Sequence, residues 1–396
     1  MHYVVYCFCF VVENVGMMMV GSRIAKAYEK STDFKWSRLF FIVTVLMVVG
    51  FLISYRFKVA GQFLRMASGS SRNGKYVKAV TWNIAAINNN PFEYWITNED
   101  GAYNKIMKSV SSYIENPGSK DIEVQNVFTE SMFKDLEQSI KIIGWTGINE
   151  TRTIWESDLK KRKIISQFIK DPILGKKRLV SMPDRVTNTI NTVDSESVYR
   201  PTVVNCFAGD LNSIDDFWKQ WKSFFFTKEI LVKKKGIEKK IRVFEMIQPI
   251  KKSKYPAITT EEEAISLPLQ TLCLAIFDSI LVHMMNEIDS KNWQKIRSDI
   301  CLKLNHQKND RTVEILSTTY GHADIQFLQE VAGNFLSFAV TKPISKLFHI
   351  YQASNMDTER DQNSYILLKK GKYRDVVDVT EELISSFQEL NNATSK

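Results

Sequence analysis

Cysteine is scarce in this chain of 396 residues, which has five. Cys7 and Cys9 lie in an apolar N-terminal stretch, and Cys206, Cys273 and Cys301 are scattered with no Cys-x-x-Cys spacing. That pattern excludes a disulfide framework and a zinc-ligand set, and leaves buried free thiols. Low-complexity tracts are missing too. A composition of 44% hydrophobic and 24% charged residues excludes a disordered chain and leaves room for one or two domains with real cores. Residues 1–20 are apolar but lack the basic start of a secretory signal.

Positive charge is in surplus. The net charge is +9 and the pI about 9.1, a balance that suits nucleic acid or an anionic membrane surface. It concentrates in Lys160-Lys-Arg-Lys163 and in Lys233-Lys-Lys-Gly-Ile-Glu-Lys-Lys240, followed by Lys251, Lys252 and Lys254. Gly236 predicts a hairpin or loop within the second run, whose lysines could meet phosphates or lipid headgroups.

Two long apolar runs have different readings. Leu39 to Tyr55 is uncharged, is bounded by Arg38 and Arg56, and has Trp36 and Tyr55 near its ends. It predicts a transmembrane helix over 39–55, with a core helix as the alternative. Basic residues flank it on both sides, so its orientation is undetermined. Leu269 to Ile288 carries Asp278 and His283. Ionisable groups are costly in a bilayer, so this run predicts a buried helix of the folded body. His283 then reads as a core or surface histidine.

Between these runs the pattern is mostly helical. Helical spacing covers Tyr103–Ile114, Val127–Ile142 and Ile214–Phe226, continues through Thr153–Ile169, and returns at Trp293–His306. The aromatics of Ile214–Phe226 read as core, not as a stacking platform for bases. Asn188–Arg200 is polar and reads as loop. Thr260-Glu-Glu-Glu263 reads as a capping box, with Pro268 interrupting the helix it opens.

Two short strands carry the chemistry. Tyr76–Ile84 reads as a strand ending on Asn83, closed by turn residues at Asn88–Pro91. His322–Val331 holds a strand, Ile325–Leu328, that delivers Glu330 at its C-terminal end. A buried acid there needs a partner or a cation, and Mg²⁺ favours such an oxygen ligand. Ser364–Gly371 reads as a further strand and turn.

The pair Thr81-Trp-Asn-Ile84 and Asp324-Ile-Gln-Phe-Leu-Gln-Glu330 resembles the first two motifs of the endonuclease/exonuclease/phosphatase superfamily. The resemblance implies a four-layered α/β sandwich, with Asn83 organising a phosphate site and Glu330 holding Mg²⁺. Asp324 is left as structural. The resemblance also implies an Asp-x-Asn pattern and a Ser-Asp-His that activate and position water. No Ser-Asp-His occurs, and no Gly-Asp-x-Asn follows Glu330. Gly209-Asp-Leu-Asn212 fits the pattern but precedes it and reads as a chance match. His322 and His349 read as strand residues without a following Asp.

The expected α/β (α+β) organisation is a tail over 1–38, the span over 39–55 and a linker over 56–75. A first part of the phosphoesterase-like domain follows over 76–92, then a large, mostly helical insertion over 93–319. The domain resumes over 320–396 and reads as its N-terminal half only, with an apolar sheet face left uncovered. The expected function is membrane-anchored, metal-dependent phosphodiester or phosphomonoester hydrolysis. The substrate would be nucleic acid or a phospholipid headgroup, and the insertion offers a possible protein-partner surface. The alternative is a non-catalytic membrane-anchored interaction protein.

Overall fold

The computed structural model describes residues 76–394, apart from 86–88, 94, 97, 194–195, 235, 354–361 and 374–375. The expected span over 39–55 with its tail and linker, together with Cys7 and Cys9, lies outside the described residues. Two compact units emerge, Met1–Ile87 with Gln307–Lys396, and Asn88–His306. Helix outweighs strand, about 53% to 15%, so the fold is mixed α/β with small sheets.

Strand β1 (Ala79–Asn83) belongs to the first unit. The chain then builds the second unit from α1 (Gly101–Glu115), α2 (Glu130–Ile142), α3 (Ile148–Ser157), α4 (Pro172–Lys177) and α5 (Ser181–Thr187). Next come strands β2 (Thr189–Asn191) and β3 (Ser197–Tyr199), α6 (Ile214–Lys222), and strands β4 (Glu229–Lys234) and β5 (Ile237–Arg242). Helices α7 (Thr260–Ala264), α8 (Ser266–Asp289) and α9 (Trp293–Cys301) complete it. The first unit resumes with α10 (Lys308–Ser317), β6 (Ile325–Val331), α11 (Phe335–Ala339), α12 (Ile344–Leu347), β7 (Phe348–Gln352), β8 (Asn363–Lys369) and α13 (Thr380–Thr394). The division therefore puts α10 with the sheet, where the sequence reading had placed it in the insertion.

Several helices begin where a side chain can satisfy the free N–H groups of the first turn. Asp100 Oδ1 accepts from Ala102 N at 2.8 Å, and Ser213 Oγ accepts from Asp216 N at 3.0 Å. The capping box before α7 is formed by Thr259 and Glu262, with bonds of 3.0 and 3.2 Å. That lies one residue before the expected Thr260, because the cap must sit outside the first helical residue. The segment expected as loop over 188–200 instead holds the β2–β3 hairpin, with Ile190 opposite Val198. Ile190 is buried, and one apolar pair among polar residues is too weak a period to read locally. Strands β4 and β5 form a hairpin turning at Gly236, whose φ of +82° favours glycine.

The core of the second unit is aromatic. Trp221 stacks on Phe225 at 4.9 Å and on Trp218 at 5.5 Å. Trp155 stacks on Phe133 and meets the edge of Phe128. Phe217, Trp221 and Phe225 are fully buried, so none is available to stack on a base. Helix α8 is apolar on nearly every side, as befits an element surrounded by others. It is long and apolar enough to cross a membrane, but 78% of its apolar window is buried within the protein, so it is a core helix. His283 on it is half-buried, and burial lowers its pKa.

In the first unit four strands run in the order β1-β6-β8-β7. β1 pairs parallel with β6, and β6–β8 and β8–β7 are antiparallel. One face packs Leu328, Tyr365, Leu367 and Phe348 against Val313 and Leu316 of α10, Phe335 of α11 and Ile344 of α12. The opposite face carries Ile325, Phe327, Ile366 and Leu368, half-buried and outside that core.

Candidate functional site

The sequence-predicted residues Asn83 and Glu330 lie at the same end of two adjacent strands. The parallel register sets Ala79 beside Ile325 and Asn83 beside Gln329, one residue before Glu330. Ile84 N extends the ladder by donating to Gln329 O at 3.0 Å. Asp324 holds the other end. Its carboxylate accepts from Lys78 N at 3.0 Å and pairs with Lys372 at 2.6 Å, while Lys78 O accepts from Asp324 N at 2.7 Å. These bonds fix the register by which the far ends of both strands meet, and they give Asp324 the structural role expected of it.

Glu330 is not simply a strand end. Leu328 faces Tyr365 and Val331 faces Asn363, so Gln329 and Glu330 together oppose a single residue, Ser364. This is a β-bulge. The extra residue lets both Leu328 and Val331 reach the same core, which strict alternation would forbid. The cost falls on Glu330, whose φ is +50°, a left-handed conformation uncommon for a residue with a Cβ. Bulges beside sites re-aim side chains, and strained residues concentrate where a ligand is held.

Asn83 is exposed. Its Oδ1 accepts from Ala85 N at 2.9 Å, which fixes the amide plane and leaves Nδ2 as the donor for anything bound there. Ala85 is itself left-handed, with φ of +51°. Lys308 on α10 is a residue the sequence reading did not single out. Its Nζ donates to Ala85 O at 3.4 Å. Burial lowers its pKa, and the nearby Glu330 carboxylate pulls the other way. The only local cue was a lysine at the start of a helix, which is commonplace.

A carboxylate, an amide donor and an ammonium can together receive a cation and a phosphate. Mg²⁺ takes one or two protein carboxylates and keeps several waters, so Glu330 meets the minimum. Among the described residues no group of three or more His, Cys, Asp or Glu stands together as a metal cluster, so any ion at Glu330 would be sparsely held. His322 lies in a turn, not in a strand as expected, because the strand begins only at Ile325. His349 lies exposed on β7 beside Tyr351. Asp210 and Asn212 belong to the second unit. There the Asp210 carboxylate accepts from Asn212 N at 2.8 Å.

In the first basic run two of the four charges are paired, Lys160 with Glu156 and Arg162 with Asp158 and Asp171. In the second, Lys233, Lys239, Lys251, Lys252 and Lys254 are exposed.

No curated protein and no solved structure matches the chain. Residues 121–298, inside the second unit and less than half of the chain, match the model of a family described as a domain of unknown function, DUF8234.

Proposed function

We propose that the sheet unit is a phosphoesterase-like module of the endonuclease/exonuclease/phosphatase type, one half of its four-layered sandwich, on a chain anchored to a membrane by its N-terminal apolar run. The observation that supports this most is the parallel pairing that sets Asn83 beside Gln329, with Glu330 next in a bulge at positive φ. Glu330 would hold Mg²⁺, and Asn83 Nδ2 would donate to a phosphate oxygen. Lys308 would hold a second phosphate oxygen by charge. When bound, the ion polarises the phosphoryl oxygen and makes phosphorus a better target for water. The substrate class is a phosphodiester or phosphomonoester, carried by nucleic acid or by a phospholipid headgroup.

The test is Mg²⁺-dependent hydrolysis of a chromogenic phosphodiester by the full chain, alongside calorimetric Mg²⁺ binding. The Glu330→Gln variant is expected to lose both, and unchanged binding and turnover would remove Glu330 from the site. A salt-steep affinity for single-stranded oligonucleotide points to nucleic acid, and turnover confined to vesicles points to lipid.

A second reading has one observation in its favour. The half-buried apolar face of Ile325, Phe327, Ile366 and Leu368 is what a non-catalytic, membrane-anchored interaction module would present. Mg²⁺ binding without turnover on any phosphoester would favour it.

A further inference from the structure

A cavity of about 420 Å³ in the second unit is lined by residues that include Cys206, Gly209, Asp210, Arg297, Ser298 and Cys301. Arg297 is buried, with 3% of its surface exposed. Its Nη1 donates to Thr202 O at 2.9 Å, and its guanidinium lies over the Trp293 ring at 4.8 Å. No carboxylate lies within ion-pair distance of it among the described residues, in contrast to Arg200, which is paired with Asp184 and Asp278. A buried cation without a counter-ion is costly. Burial lowers the pKa of Arg297 to about 10, with the adjacent Cys301 and Cys206 thiols pulling the other way. Among the described residues its Nε and Nη2 find no hydrogen-bond partner, and neither does the Ser298 hydroxyl on the same wall. A planar fork of unspent donors matches an oxyanion. Opposite in sign, the exposed Asp210 carboxylate accepts from Asn212 N and Gln294, and it would take a hydroxyl or ammonium on the same ligand.

We propose that this cavity binds a small metabolite through an oxyanion group, a carboxylate or a phosphate, received by Arg297. The site is separate from the Asn83–Glu330 end of the sheet and does not depend on that reading.

The two cysteines lining the cavity provide the probe. Alkylation of Cys206 and Cys301 by iodoacetamide, followed by peptide mass spectrometry on the full chain, reports occupancy. Cys273, buried elsewhere in the core, is the internal control. Inorganic phosphate or acetate, each against chloride at equal ionic strength, is expected to slow alkylation of both thiols by roughly tenfold at ten times its dissociation constant, with Cys273 unchanged. The anion that protects identifies the oxyanion class. Arg297→Met is expected to abolish protection and Arg297→Lys to weaken it. Equal rates in phosphate, acetate and chloride with the unaltered chain overturn the proposal, even if Arg297→Met fails to fold. Full protection in a folded Arg297→Met chain overturns it as well.

Discussion

The Arg200 Nε donates to Asp278 Oδ2 at 2.8 Å in the interior of the second unit, across 78 positions of sequence, and both side chains are wholly inaccessible. Thr202 Oγ1 and Trp221 Nε1 also donate to the Asp278 carboxylate, at 2.6 and 2.8 Å, and Arg200 reaches Thr187 and Asp184. Burial by itself would lower the Arg200 pKa, but the Asp278 and Asp184 carboxylates outweigh it and hold the guanidinium charged. This network is why an ionisable residue can sit midway along an apolar helix.

Removing one partner leaves the other buried and unpaired. Arg200→Met and Asp278→Leu are each expected to cost about 3–5 kcal/mol. The double variant should cost well under their sum, since neither charge is then stranded. Urea unfolding of the three variants checks this, and additive costs would show that the two residues act independently.

Asp324 makes the sheet sensitive to acid. Burial raises its pKa, but the Lys372 ammonium and the Lys78 N–H outweigh that and leave it below the ordinary carboxylate value. A depressed acid contributes stability above its unfolded pKa of about 3.9, and the contribution is lost as pH falls through the folded value. Asp324→Asn is expected to cost about 1–2 kcal/mol at pH 7, a charge-assisted hydrogen bond partly screened by water around Lys372. The cost should shrink towards zero as pH falls from the unfolded value through the lower folded one. Melting curves of both chains over that range decide it, and a pH-independent difference would be the contrary result.

Gly321 occupies the turn that leads into β6. A Cβ placed on it would overlap the carbonyl oxygen of Ser317, a backbone atom that cannot rotate away. Gly321→Ala is expected to destabilise by about 1–3 kcal/mol. Gly101→Ala meets open space in the first turn of α1 and should be neutral or stabilising by up to about 1 kcal/mol. Thermal melts of the two variants should therefore move in opposite directions or by clearly unequal amounts.

Glu330 combines backbone strain with the proposed metal role, and two substitutions separate them. A left-handed conformation costs a residue with a Cβ about 1–2 kcal/mol. Glu330→Gly should thus be at least as stable as the native chain, and Glu330→Val less stable. Both should lose Mg²⁺-induced stabilisation, as read by melting with and without the ion. A Glu330→Gly chain that keeps its response to Mg²⁺ would separate the bulge from ion binding.

Local chemistry carried much of this fold to the page. Alternation and turn residues marked β1, β6 and β8, and Gly236 marked its hairpin. Helical periodicity marked α1, α2, part of α3, α6 and α9, and the ionisable residues of α8 kept it out of the membrane. Such features depend on residues within a turn or two of one another, so they are written in the chain as periods and caps. Neither the register of Asn83 against Gln329, the bulge at Glu330, the pairing of Arg200 with Asp278, nor the unpaired burial of Arg297 leaves such a trace. Each joins residues tens or hundreds of positions apart, and a carboxylate or guanidinium reads the same in sequence whether it meets water, a partner or none. Only packing decides which, because the cost of burying a charge depends on everything brought around it.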